Sequence, residues 1–395
     1  MEAKPHLNEK LTVDMTTVHF INQVINDSIK KKASDIHFEP YEKYYRIRIR
    51  VDGILYELVQ ADIKLATRIA SRLKIMAELN IAEKRLPQDG RFTFTFAEKT
   101  LYLRINSCPT LFGEKIVLRI LHSNHKILAL KDLGFTENQH NQFTKSIYKP
   151  QGLILVTGPT GSGKTVTLYT ALNLLNNAEK NISTVEDPVE IYFPGINQVN
   201  INSKVGLNFA TVIRAFLRQD PDIIMLGEIR DRETAEISIK AAQTGHLVFA
   251  TLHTNNTTEA LIRLYNMGIA EFNVLSALSL IIAQRLIRCL CNYCKKLIKI
   301  DDNALLQQGF SKEELSTLQI FSAVGCEQCT SGYRGRTAIF EMLPITPYLR
   351  TAILNCKNSP VVSLPAEKIP TLHNLGLDKV RQGITSLEEI HRVLN

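Results

Sequence analysis

Hydrophobic positions change their spacing several times along this chain, and each change predicts a different element. Val18, Ile21 and Ile25, with Ile29 nearby, recur at helical spacing, and Thr16 or Thr17 is placed to cap that helix. In Tyr45–Val51 apolar residues alternate strictly with Arg46, Arg48 and Arg50, the period of a half-buried strand with three arginines on one face. Asp52-Gly53 then signals a hairpin turn, with Ile54–Val59 as the return strand. Phe92–Phe96, Leu101–Ile105 and Ile116–Leu121 read as further strands. The first 121 residues therefore predict an α+β domain. From Leu153 the pattern becomes strand, glycine loop, helix, strand, which predicts an α/β domain with a mainly parallel sheet.

The boundaries that follow are a lead-in at 1–13, an α+β domain at 14–121, a polar linker at 122–135 and an α/β domain at 136–395. A small subdomain at about 288–336 belongs to the last of these. The apolar stretch Val274–Ile287 is broken by Ser276, Ser279, Gln284 and Arg285 and is shorter than the ~18–20 residues a membrane span needs. Residues Met1–Lys10 are polar without an apolar core, so no secretory signal is expected and the protein is expected to stay in the cytoplasm.

Composition changes this picture little. Hydrophobic residues at 45% and charged residues at 22% are ordinary for a globular protein with sizeable cores. A net charge of +8 over 395 residues leans mildly towards anionic partners. There is no tryptophan, no groove-reading motif and no aromatic stacking platform, so a stable nucleic-acid partner is not expected.

The chemistry concentrates in the second half. Gly158-Pro159-Thr160-Gly161-Ser162-Gly163-Lys164-Thr165 fits Gly-x4-Gly-Lys-[Ser/Thr], between the apolar strand Leu153–Val156 and a helix expected over Thr165–Leu175. Glycines let the backbone N–H groups face phosphates, and the helix adds its positive end. Lys164 is expected to reach the β/γ-phosphates and Thr165 to ligate Mg²⁺. Ile223–Leu226 followed by Gly227-Glu228 has the form of a Walker B strand, with glycine where many such enzymes carry aspartate. Glu228 is placed to polarise the attacking water or to hold Mg²⁺ through water. Glu186, Asp187 and Glu190 follow another apolar strand and suit metal or water handling, or form a solvated loop. His253 ends the strand Leu247–Thr251, with His246 just before it. A strand-end histidine can sense the γ-phosphate, or be merely structural.

Arg48, Arg50, Arg91, Arg104 and Arg119 lie on strands of the first domain, as a solvated face, a salt-bridge network or a supply of positive charge for phosphoryl transfer. Cys291-x-x-Cys294 and Cys326-x-x-Cys329 make a four-thiolate set able to converge on a closed, structural Zn²⁺, or remain free thiols. The 31 residues between the pairs require a small excursion. Cys289 lies beside the first pair, and Cys108 and Cys356 read as ordinary or spare thiols.

Taken in order, these segments resemble the secretion-superfamily ATPases of type IV pilus assembly and type II secretion. The carriers are Ala33–Pro40, Arg50–Gly53, Leu86–Arg91, Gly113–Lys115, Gly158–Thr165, Glu186–Glu190, Asp220–Asp231, Thr244–Thr254 with His246 and His253, the four cysteines, and Gly332–Arg336. The resemblance implies a RecA-like P-loop ATPase domain preceded by a smaller α+β domain, the family's second N-terminal domain, with a small zinc-binding subdomain. It implies a homo-hexamer that uses ATP and Mg²⁺ at the cytoplasmic face of the inner membrane. There it drives a platform protein that adds pilin or pseudopilin subunits. A retraction motor or a DNA-uptake filament ATPase is the alternative, and the tetracysteine element favours the assembly or secretion branch. The resemblance makes Arg50, Arg91, Arg104 and Arg119 candidates for nucleotide contact, Glu190 and Glu228 for water activation and Mg²⁺ handling, and His253 and His246 for the nucleotide site.

Overall fold

A computed structural model describes residues 17–121, 128–355 and 369–394. The expected lead-in, Thr16, the first part of the expected linker (122–127) and Cys356 lie outside the described residues. The chain divides into two compact units, Met1–His125 and Lys126–Asn395.

The first unit is a six-stranded antiparallel sheet with two helices. Its strands are β1 (Asp35–Pro40), β2 (Tyr45–Val51), β3 (Ile54–Ala61), β4 (Gln88–Phe96), β5 (Lys99–Thr110) and β6 (Gly113–Leu121), in the order β3-β2-β1-β6-β5-β4. The strict alternation of β2 divides it as expected: Tyr45, Ile47, Ile49 and Val51 are buried, and the three arginines between them are partly exposed. The buried residues join Ile36, Phe38, Leu103, Ile105 and Leu118 in a core closed by α1 (Thr17–Lys30, through Ile21 and Ile25) and α2 (Ala66–Met76, through Ile69 and Leu73). Asp52 and Gly53 both have positive φ, 48° and 86°, as a two-residue turn matching strand twist requires. The strands at 88–110 run longer than the apolar run alone indicates, because antiparallel pairing carries β4 and β5 from Gln88↔Ser107 to Phe96↔Lys99.

The opposite face of this sheet is a charge network. Arg48 holds Glu39 with two bonds, Nε to Oε2 at 2.8 Å and Nη2 to Oε1 at 2.9 Å. Lys115 reaches the same carboxylate at 3.0 Å and Arg46 at 3.4 Å. Arg48 and Lys115 hold the Glu39 carboxyl down at about 2 against the effect of its burial.

The second unit carries the parallel sheet. Its strands are β7 (Gly152–Thr157), β8 (Ile182–Glu186), β9 (Asn197–Asn200), β10 (Ile223–Leu226), β11 (Leu247–Leu252), β12 (Leu278–Leu290) and β15 (Tyr333–Pro344), in the order β15-β12-β7-β11-β10-β8-β9. Only the β12–β15 pair is antiparallel. Strand β7 is buried on both faces, as a central parallel strand must be. Ile154 and Val156 face α3 (Glu137–Ile147) and α4 (Lys164–Leu175) through Phe143, Leu168 and Leu172. Leu153 and Leu155 face α5 (Phe209–Phe216), α6 (Arg232–Gln243), α7 (Thr257–Asn266) and α8 (Glu271–Ala277). The run Val274–Ile287 is thus the end of α8 and most of β12, and no described helix is long and apolar enough to cross a membrane.

The strands β13 (Lys296–Ile298) and β14 (Ile320–Ser322) pair as a short ribbon, with α9 (Asp302–Gln308) between them. The helix α10 (Pro347–Asn355) follows β15, and α11 (Leu372–Arg381) and α12 (Leu387–Leu394) close the chain. Leu305, Phe310, Ile320, Leu377 and Ile390 pack with Ala283, Ile287 and Ile339 as one core.

Candidate functional site

Parallel strands all deliver their C-terminal ends to the same edge of the sheet, where ligands of such folds bind. Here that edge collects Gly158 from β7, Glu186 and Asp187 from β8, Glu228 from β10 and His253 from β11.

The glycine loop shows why its residues are small. Gly158 has φ 148°, and a Cβ there would lie 2.5 Å from the Gln284 carbonyl oxygen and 2.7 Å from Ser162 Oγ. Gly163 has φ 90° and serves as the N-cap of α4; a Cβ there would lie 2.8 Å from Gln284 Nε2. The loop is thus pressed against β12 at both ends. Lys164 is buried, its Nζ donating to the carbonyls of Gly158 at 2.7 Å and Pro159 at 3.1 Å. Burial pushes its ammonium down to about 8, opposed by Glu228 and aided by the charge of Arg285. Ser162 Oγ is buried with no hydrogen-bond partner, and Thr165 is part-exposed in the first turn of α4.

Glu228 is the best-placed carboxylate. One oxygen pairs with Arg230, and the other lies 3.4 Å from His253 Nε2. Arg230 also reaches Asp187 at 3.3 Å, joining the acidic segment after β8 to the one after β10. Thr251 Oγ1 donates to the Gly227 carbonyl at 2.5 Å, and the Ile229 N–H donates to the Thr251 carbonyl at 2.9 Å, so the Glu228 turn is tied to β11. The glycine at 227 has a steric reason: a Cβ there would meet Glu186 Cα at 3.3 Å and the Val185 carbonyl at 3.4 Å.

The acidic residues after β8 divide. Glu186 is buried and accepts the Tyr169 hydroxyl at 2.8 Å and the Thr184 hydroxyl at 2.7 Å. Burial raises its pKa above the ordinary carboxylate value. It fastens β8 to α4, while Asp187 and Glu190 are exposed. The two histidines also divide. His253 lies at the C-terminal end of β11. His246 precedes the first residue of that strand, which pairs with Gly152, and its Nδ1 lies 3.0 Å from the Ala241 carbonyl. Six strand residues, roughly 20 Å, separate them, so within the chain His246 is not a P-loop neighbour.

Three of the four arginines that the resemblance assigns to nucleotide have acidic partners. Arg119 Nε donates to Asp35 at 2.9 Å, Arg50 lies 3.8 Å from Asp35, and Arg104 reaches Asp89 at 3.3 Å. Arg91 is exposed and has no ion pair among the described residues.

Sequence reasoning missed the wall contributed by β12. Gln284 accepts the Thr167 hydroxyl at 2.8 Å, and Arg285 is buried beside it. Both registered only as interruptions of an apolar run. It also missed Thr157, whose Oγ1 accepts the Thr254 N–H at 2.9 Å and so fixes the segment after His253 against the foot of the glycine loop.

The four cysteines converge. Their sulfurs all lie within 4.8 Å of one another, and Cys291–Cys326, Cys294–Cys329 and Cys326–Cys329 are 3.8, 3.7 and 3.7 Å apart. Ligands at ~2.3 Å from a tetrahedral centre stand ~3.8 Å apart, so the set fits Zn²⁺. The N–H groups of Gly325 and Cys326 donate to Cys294 and Cys329 sulfurs at 3.3 and 3.2 Å, as thiolates require. The 31-residue excursion is absorbed by the β13–β14 ribbon and α9, which bring the two knuckles together.

Comparison with known proteins agrees with this geometry. Residues 11–392 match the family described as type II/IV secretion system protein. The type IV pilus assembly ATPase PilB of Acinetobacter baylyi is 53% identical over 404 residues, covering all of this chain and 70% of the relative. The type II secretion system protein E of Dickeya dadantii is 45% identical over 382 residues, covering 96% and 76%. Among solved structures, the pilus retraction motor PilT with bound ADP is 26% identical, with a TM-score of 0.61 over 94% of this chain and 96% of that one. The extent of these matches, and the order of motifs they run through, place the chain in the type II/IV secretion system protein family.

Proposed function

We propose that this ATPase works as a Mg²⁺-dependent homo-hexameric motor that extends a pilin or pseudopilin filament, in type IV pilus assembly or type II secretion. The observation that carries the reading is the meeting of Lys164, Glu228 and His253 at the C-terminal ends of β7, β10 and β11, in a chain 53% identical to a pilus assembly ATPase. The four converging cysteines support the assembly or secretion branch over retraction.

In this reading the N–H groups of 158–165 and Lys164 hold the phosphates. Glu228 orients the attacking water, because it is the acid that contacts His253, whereas Glu190 is exposed on its loop. His253 senses the γ-phosphate through Glu228. Thr165, Glu228, Asp187 and Glu190 are the oxygen donors available to Mg²⁺, which when bound neutralises charge on the β- and γ-phosphates. Cys291, Cys294, Cys326 and Cys329 hold a structural Zn²⁺. In the assembled ring Arg50, Arg104 and Arg119 exchange their acidic partners for nucleotide, and Arg91 joins them. The motor acts on a platform protein at the cytoplasmic face of the inner membrane.

The test is ATP turnover per chain against protein concentration, for the native chain and for Glu228→Gln. Turnover that rises with concentration and nearly vanishes in the variant is the expected result. Turnover independent of concentration, or undiminished by the substitution, rejects the oligomeric motor or the role of Glu228 respectively.

A further inference from the structure

Two arginines on β12 are buried, and they are treated differently. Arg288 is 9% exposed and gives its guanidinium to Glu389, at 2.9 Å from Nε and 2.7 Å from Nη2. Arg285 is 7% exposed and is in no ion pair among the described residues. Its Nη1 donates to the Gln284 carbonyl at 3.0 Å, and its Nη2 to the Asn255 carbonyl at 2.9 Å and Asn255 Oδ1 at 3.1 Å. The acids near enough to act on its charge are Glu259 and Glu341, and both are engaged elsewhere. Glu259 accepts the Asn255 N–H at 2.8 Å, and Glu341 accepts the Thr257 and Leu372 N–H groups at 2.9 and 3.2 Å. Amide oxygens satisfy the donors of a guanidinium and leave its charge in place. Glu259 and Glu341 act on it only across space, so this buried guanidinium, held in no ion pair among the described residues, is open to a further anion.

The register says which anion. Strand β12 runs parallel to β7 with Ala283 opposite Thr157, so Gln284 and Arg285 continue level with the start of the glycine loop, and the Gln284 carbonyl already abuts Gly158. We propose that Arg285 is a second fixed positive charge of the phosphate site, set one strand away from the loop. It draws polyphosphate by its field and, through Asn255, holds the segment that follows His253. It is a positioning residue and does not touch the nucleotide. The inference rests on 158–165 being the nucleotide site.

The test is binding of AMP, ADP and ATP to the full chain by titration calorimetry without divalent metal, for the native protein, Arg285→Met, Arg285→Lys and Asn255→Ala. Loss of the charge is expected to weaken ATP about tenfold, ADP less and AMP least, as Coulomb's law scales with ligand charge. Arg285→Lys and Asn255→Ala keep the charge and are expected to keep that ladder. An equal loss for all three ligands, or a Lys variant as weak as the Met variant, overturns the proposal. If Arg285→Met fails to fold, loss of the ladder in Arg285→Lys or Asn255→Ala overturns it equally. A native chain that binds no ATP, or a Lys164→Ala chain that binds it as well, rejects the nucleotide site instead.

Discussion

His253 Nε2 lies 3.4 Å from Glu228 Oε2, joining the ends of two neighbouring parallel strands. The imidazole is pushed below its ordinary pKa of 6.5 by burial and by the charge of Lys164, against the pull of Glu228. It is therefore neutral at pH 7, and in the role proposed for Glu228 it leaves that carboxylate to act on water. Below the ordinary histidine range it charges, pairs with Glu228 and withdraws that base. A pH profile of kcat is expected to show an acid limb below pH 6.5 in the native chain. In His253→Gln the limb should leave the histidine range, with kcat lowered at least about tenfold. An unmoved limb shows that His253 does not control Glu228.

Lys164 ties the site to protons. Its ammonium sits near 8, below the ordinary 10.5, and a bound polyphosphate restores the charged form. ATP binding should therefore take up close to one proton at pH 9 and almost none at pH 7. Calorimetry in buffers of different ionisation enthalpy measures this, and no uptake at pH 9 contradicts it. For the chain without ligand the sign follows from linkage. The unfolded state binds more protons between about pH 8 and 10.5, so Lys164 adds stability as pH rises through that window.

The cysteine set should hold one Zn²⁺ per chain, measurable by elemental analysis. Cys326→Ser is expected to lose the metal and destabilise the 288–336 element by several kcal/mol. Hydrogen exchange at 295–325 should rise sharply, with ATP affinity within about twofold of native. Unchanged exchange after complete metal loss would mean the thiolates hold nothing together.

Glu39 anchors the charged face of the first unit. Replacing it with glutamine leaves Arg46, Arg48 and Lys115 without their shared anion, at a cost of about 1–2 kcal/mol at pH 7, discounted for their partial exposure. Because the folded carboxyl sits at about 2, below the ordinary 4.5, its contribution is complete above pH 4.5 and is lost as pH falls towards 2. Denaturant titrations of both proteins at pH 7 and pH 3 check this, with a smaller difference expected at pH 3.

Much of the fold was legible because its cues are local. The alternation of Tyr45–Val51 gave the face of β2, Asp52-Gly53 its turn, and Leu153–Val156 with the glycine loop the strand, the loop and the start of α4. The acid after β10 and the paired cysteines were readable for the same reason. The separation of His246 from His253 also had a local signal. His246 precedes its strand while His253 follows it, and in a parallel sheet that places them at opposite edges.

By itself the sequence determined the phosphate loop, the strand-end Glu228 and His253, and the four thiolates, since each is set by residues a few positions apart. Tertiary structure alone decided that Glu186 fastens β8 to α4, that Gly227 sits tightly against β8, and that Gln284 and Arg285 wall the phosphate loop. The last of those facts depends on β12 returning beside β7 more than a hundred residues later. That return is driven by burying both apolar faces of a central strand, and no local window of sequence records which strand will do so.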